Sequence, residues 1–135
     1  MSMTGHSTVR YLKDDDVGVE STGYRSQVIV TPEGLTFLAG QVGSDPETKE
    51  LVSDSMYEQT IRCLDNIELL LESVGGDRQD LVQLHVYITN KEEYPAFNRA
   101  TTEYFGDNPP TRSVVGTPFL AAEAKVEISG VAYLE

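Results

Sequence analysis

The sequence predicts a two-layer α+β domain in which two long helices cover one face of a mixed β-sheet. Three observations lead there. The stretch SDSMYEQTIRCLDNIELLLESVGG, residues 53–76, repeats apolar residues at three- and four-residue steps, as the buried face of one long helix requires. DLVQLHVYITN, residues 80–90, alternates instead, as a strand with one buried face does. Segments of these two kinds follow one another as strands, helix, strand, helix, strands, an order that one sheet with both helices on a single face accommodates.

Residues 1–23 are polar and weakly patterned except for TVRYL, a candidate edge strand. SQVIV (26–30) and LTFLAGQV (35–42) are β-rich runs separated by TPEG, whose proline and glycine suit a hairpin turn. In the first long helix the buried face should carry Met56, Thr60, Ile61, Leu64, Ile67, Leu71 and Val74. Ser53 or Ser55 can cap its start, Ser55 with Glu58 fits a capping box, and Gly75 and Gly76 supply the stop. The strand after it should turn Val82, Leu84, Val86 and Ile88 toward the helices and Gln83, His85, Tyr87 and Thr89 away. A second helix is expected over about residues 92–105, with Tyr94, Phe97, Thr101 and Tyr104 on one stripe, Pro95 in its first turn and Gly106 at its end. TRSVV and AKVEISGVAYL close the sheet, the latter with Val126, Ile128, Gly130 and Ala132 on one face and Lys125, Glu127, Ser129 and Val131 on the other. Tyr87, Val131 and Tyr133 make the uncovered face half apolar, which predicts a homo-oligomer with Glu127 near the interface.

A length of 135 residues suits one domain spanning residues 1–135. Twenty-two acidic against ten basic residues give a net charge of −12, which repels a polyphosphate backbone and argues against nucleic acid as partner. An acidic cytosolic domain and a high-salt source explain that surface equally well. No apolar run approaches the roughly 20 residues of a membrane span, and the opening residues lack the form of a secretory signal, so a cytoplasmic protein is expected. Cys63 is the single cysteine and reads as a packed thiol; with only His6 and His85 beside it, no metal site is expected.

The residues that carry chemistry are dispersed. Arg112 follows NPPT at a strand entrance, where its planar fork could hold a carboxylate through two parallel hydrogen bonds or merely join a surface ion pair. Glu127 falls on the open face, where a salt bridge to Lys125 or Arg112 is the alternative to a functional carboxylate. Gly40, in AGQVG, permits close backbone approach to a ligand or marks a bulge. Tyr24 and Asn98 offer a hydroxyl and an amide.

Taken together, GYRSQVIV, FLAGQVG, EQTIRCLDNIELLLESVGG, DLVQLHVYIT, FNRATTEYF, PPTRSVV and KVEISGVA resemble the Rid family, the reactive intermediate deaminases also called the YjgF family, over about residues 22–134. The most specific part is Pro110, Arg112 and Ser113 followed, fifteen residues after the arginine, by Glu127 in an apolar strand. The resemblance implies a chorismate-mutase-like homotrimer with sites between subunits. It also implies cofactor-free hydrolysis of enamines or imines such as 2-aminoacrylate to 2-keto acids and ammonia. In that scheme Arg112 holds the substrate carboxylate, Glu127 orients or deprotonates water, Tyr24 and Asn98 line the cleft, and the backbone of Gly40 and Val114 adds hydrogen bonds. Thr111, Val114 and Gly116 depart from the usual family residues, so the VVGTPFLAAEA segment is where substrate preference is least fixed. A non-enzymatic small-carboxylate-binding or regulatory trimer is the alternative, and an endoribonuclease fits the charge poorly.

Overall fold

The computed structural model describes residues 8–19 and 23–135; His6 lies outside them. Six strands, β1 (Arg10–Leu12), β2 (Val28–Val30), β3 (Leu35–Val42), β4 (Leu81–Ile88), β5 (Thr111–Gly116) and β6 (Val126–Tyr133), form one sheet in the order β1-β2-β3-β6-β4-β5. Only β4 and β5 run parallel. The long helices α2 (Met56–Glu72) and α3 (Tyr94–Phe105) cover one face, giving the two-layer α+β arrangement expected. TVRYL does supply the edge strand, and TPEG does make the β2–β3 turn, with Gly34 at φ 106°. A short helical turn, α1 (Asp14–Val17), was not anticipated.

Helix α2 forms where the apolar steps place it, and Ser55 caps it by accepting the Glu58 amide at 3.1 Å. Its buried side presents Met56, Leu64, Ile67 and Leu71 to Val28, Leu38, Val86 and Ile128 of the sheet. Each such side chain contributes about 1.5–3 kcal/mol on burial, so this interface dominates stability. Two buried amides on α2 then fix what surrounds it. Gln59 donates to the Ser53 carbonyl and accepts the Lys125 amide, both at 2.9 Å. Asn66 donates to the carbonyls of Val42 (3.2 Å) and Ser44 (2.9 Å), so α2 holds the end of β3.

The structure corrects the expected pattern in two places. Val82 is 47% exposed, and Leu81 is buried in its place. Between Leu81 and Gln83 the pairing advances two residues on β4 against one on β6, a bulge that turns Val82 out and restores the alternation from Leu84 onward. On α3 the buried stripe is Phe97, Ala100, Thr101 and Phe105; Tyr94 and Tyr104 sit at its margins, and a 3-10 turn, Lys91–Glu93, precedes the helix.

Tyr104 sits where α2 and α3 meet. Its ring lies 3.8 Å from the Arg78 guanidinium carbon, and its hydroxyl reaches Asp65 and Glu68 at 3.2 Å. Arg78 pairs with Glu68 at 2.8 Å, and that hydrogen bond holds the Glu68 carboxyl below the usual glutamate range. A depressed folded-state pKa adds stability above the unfolded value and loses it as pH falls through the folded one. Glu68→Gln should therefore cost about 1 kcal/mol at neutral pH, with solvent screening allowed for, and this cost should shrink on acidification. Thermal melts of both proteins between about pH 3 and pH 7 test this, because the two melting curves should converge toward the acid end.

Candidate active site

Strand β5 starts where Pro109 and Pro110, lacking amide donors, separate it from α3. It pairs with β4 so that Arg112 lies beside Leu84 and Val114 beside Val86, on the helix-covered face at the sheet's outer edge. Tyr94, Asn98 and Thr101 recur at helical spacing on α3 and point one row of oxygens at this edge. The Arg112 guanidinium donates to all three: Nη1 to Thr101 Oγ1 at 3.0 Å, and Nη2 to Asn98 Oδ1 at 2.6 Å and the Tyr94 hydroxyl at 3.1 Å. The Phe97 ring lies 5.3 Å away. Every acceptor is neutral, and among the described residues no carboxylate pairs with Arg112. The guanidinium is thus oriented without its charge being neutralised, and it retains donors for a ligand. It opens into a concavity of about 650 Å³.

Glu127 is placed by different elements. On β6 it lies between Val42 of β3 and Tyr87 of β4, on the face that the helices leave open. A register shift between Leu38 and Gln41 bulges β3 at Ala39 and Gly40. A Cβ on Gly40 would stand 2.6 Å from Glu127 Oε2, so any larger residue there would displace the carboxylate from its present position. The Gly40 carbonyl accepts Arg25 Nη2 at 2.9 Å. Arg25, Gly40, Asn66, Ala122 and Glu127 line a second hollow of about 250 Å³. Two of its lining residues, Lys49 (φ 67°) and Ala122 (φ 57°), hold left-handed backbone without being glycine, a strain that accumulates at functional sites.

The salt bridges weighed for Glu127 do not form. Lys125 pairs with Glu93 at 2.9 Å, and Arg112 bonds to neutral oxygens. The predicted residues divide into two groups. Asn98 and Val114 accompany Arg112, while Gly40 accompanies Glu127. The groups occupy opposite faces of the sheet, with β4 between their strands, so one chain does not join them. Gly40 does sit in a bulge, and its carbonyl already accepts one hydrogen bond, from Arg25.

Tyr24 is fully exposed, with the Lys13 ammonium 5.6 Å above its ring. Its neighbour Arg25 is the side chain that reaches Gly40 and the Glu127 hollow, and nothing in a polar loop distinguished the two. Lys91 and Tyr94 at the Arg112 concavity were also missed; the helical spacing of Tyr94, Asn98 and Thr101 was the available signal. His85 lies exposed on the open face beside Ser113 and Ser129. Cys63 is buried, its thiol 3.7 Å from the Val126 carbonyl, and burial, seconded by the charge of Glu127, raises its pKa. Among the described residues no cluster of three or more His, Cys, Asp or Glu is placed to hold a metal, and no helix is long and apolar enough to cross a membrane.

The family model described as Endoribonuclease L-PSP matches residues 19–134. A RutC family protein of Pyrococcus abyssi is 36% identical over 99 residues, covering 73% of this chain and 78% of its own. A 2-iminobutanoate/2-iminopropanoate deaminase of Dermatophagoides farinae is 30% identical over 99 residues, covering 73% of this chain and 77% of its own. The crystal structure of RidA from an Antarctic Psychrobacter superposes with a TM-score of 0.83 at 26% identity, covering 93% of this chain and 99% of that one. A match across nearly the whole sheet and both long helices, together with these relatives, places the chain in the YjgF/Rid family.

Proposed function

We propose that this protein is a cytoplasmic, cofactor-free deaminase that hydrolyses enamines or imines of small 2-amino acids, of the 2-aminoacrylate type, to 2-keto acids and ammonia. The observation that carries the reading is Arg112, a guanidinium held by three neutral oxygens and, among the described residues, by no carboxylate. Such a group is prepared for a carboxylate brought by a ligand. The deaminase name of the mite relative supports the same reaction class.

The opposed positions of Arg112 and Glu127 support a homotrimer in which one copy supplies the clamp and its neighbour the carboxylate. Phe37, Tyr87 and Tyr133 on the open face, each about 40–45% exposed, suit burial against another copy. In the assembled cleft Arg112 and the backbone of Val114 hold the substrate carboxylate beside Asn98. Glu127, seated over Gly40, takes a proton from water as its oxygen bonds to C2 and passes it to the imine nitrogen. The new hydroxyl then gives up its proton to that nitrogen as C=O forms, the C–N bond breaks, and nitrogen leaves as ammonia. An imine is already electrophilic, so positioning supplies most of the rate gain.

The alternative, a trimer that binds small carboxylates without turnover, is separated from this reading by Glu127. Imine generated in situ by an amino-acid oxidase should yield keto acid and ammonia faster with the protein present, and Glu127→Gln should lower kcat about 100-fold or more. If Glu127→Gln matches wild type, or wild type gives no acceleration over the oxidase alone, the hydrolytic reading fails. Saturable keto-acid binding would then favour the binding module.

A further inference from the structure

The Arg112 concavity carries a second cation that the proposed reaction does not use. Among the described residues its lining includes Lys91, Tyr94, Arg112, Val114 and Gly116 and no acidic residue, although the chain has 22 acids and only four lysines. Lys91 belongs to the 3-10 turn before α3, and among the described residues no ion pair holds its ammonium. The nearby Glu93 is already paired with Lys125. On one chain's own side, and among the described residues, the concavity gathers two positive charges and no negative one in a chain of net charge −12, which suits a dianion.

We infer that Lys91 selects imino acids bearing a second, side-chain carboxylate, so that the preferred substrate is a 2-imino dicarboxylic acid. This rests on the deaminase reading for its chemistry but not for its binding. Arg112, planar and fixed by Tyr94, Asn98 and Thr101, takes the carboxylate next to the reacting carbon. Lys91, a point charge on a flexible stem, takes the distal carboxylate over a range of chain lengths. Hydrolysis remains balanced: water's oxygen bonds to C2, the C–N bond breaks, and nitrogen leaves as ammonia with both water protons. The reaction that supplies such a substrate is the oxidation of an acidic amino acid to its imine.

The test is calorimetric binding of 2-oxoglutarate, 2-oxobutyrate and inorganic phosphate to wild type, Lys91→Met and Lys91→Arg. Wild type should bind the dicarboxylate about tenfold more tightly than the monocarboxylate. That ratio should fall to near one in Lys91→Met and recover in Lys91→Arg. Equal affinities in wild type, a ratio that survives Lys91→Met, or a phosphate that binds more tightly than 2-oxoglutarate would each overturn the inference. Turnover separates it from the reading beneath it. A binding preference with no imine hydrolysis sinks the deaminase proposal alone, while hydrolysis without the preference sinks the role of Lys91 alone.

Discussion

Replacing Gly43 with alanine is expected to lower the melting temperature by roughly 10 °C, the equivalent of about 3 kcal/mol for a chain of this length. Gly43 directly follows β3, where α2 crosses it. An added Cβ would stand 2.7 Å from both the Cα and the carbonyl oxygen of Gln59 and 2.9 Å from its Cβ. These are helix backbone atoms and the root of a side chain, so no rotamer change relieves the clash. Nor is the helix free to withdraw, because the Gln59 amide is fastened at both ends, to Ser53 and Lys125. Asn66 ties the same helix to the carbonyls on either side of Gly43. Thermal melts followed by circular dichroism decide the matter, with Gly116→Ala as comparison, since the nearest atom to a Cβ there is 4.0 Å away. Equal melting temperatures for the two variants would mean that strand and helix approach less closely than described.

Arg112→Ala is expected to lower kcat/KM for imine hydrolysis about 100-fold or more, equivalent to roughly 2.7 kcal/mol of binding to the transition state. A carboxylate held equally well before and during reaction contributes to KM, so most of the loss should appear as raised KM. The fold should tolerate the change. Arg112 sits on an edge strand, and the oxygens it abandons on Tyr94 and Asn98 belong to exposed residues that water can satisfy. A melting temperature within a few degrees of wild type should therefore accompany the kinetic loss. Arg112→Lys should recover only part of it, because an ammonium can match neither the three oxygens on α3 nor the two of a carboxylate. Full activity in Arg112→Ala would remove the clamp from the mechanism.

Much of the architecture was legible because its rules are local. Alternation along β6 put Glu127 on the open face, and three- and four-residue steps found α2 and its cap. Local rules failed where one residue breaks the count. The bulge at Val82 is invisible in a clean alternation, since exposing Val82 and burying Leu81 requires knowing how β6 lies alongside. The site was legible residue by residue but not as an arrangement. Arg112, Asn98, Gly40 and Glu127 could each be named, yet spacing along the chain says nothing of which face β5 turns to α3 once it joins the far side of β4. Whether Tyr24 or Arg25 turns toward Gly40 depends on a loop with no periodicity to read.

Cys63 gives the packing of α2 one more consequence. Its sulfur has no exposed surface, and both its setting and the neighbouring charge oppose the thiolate through which thiols react. Thiol-directed oxidants and alkylating reagents therefore find no reachable sulfhydryl for as long as α2 stays on the sheet. The protein carries a silent tally of its own opening, written one sulfur at a time.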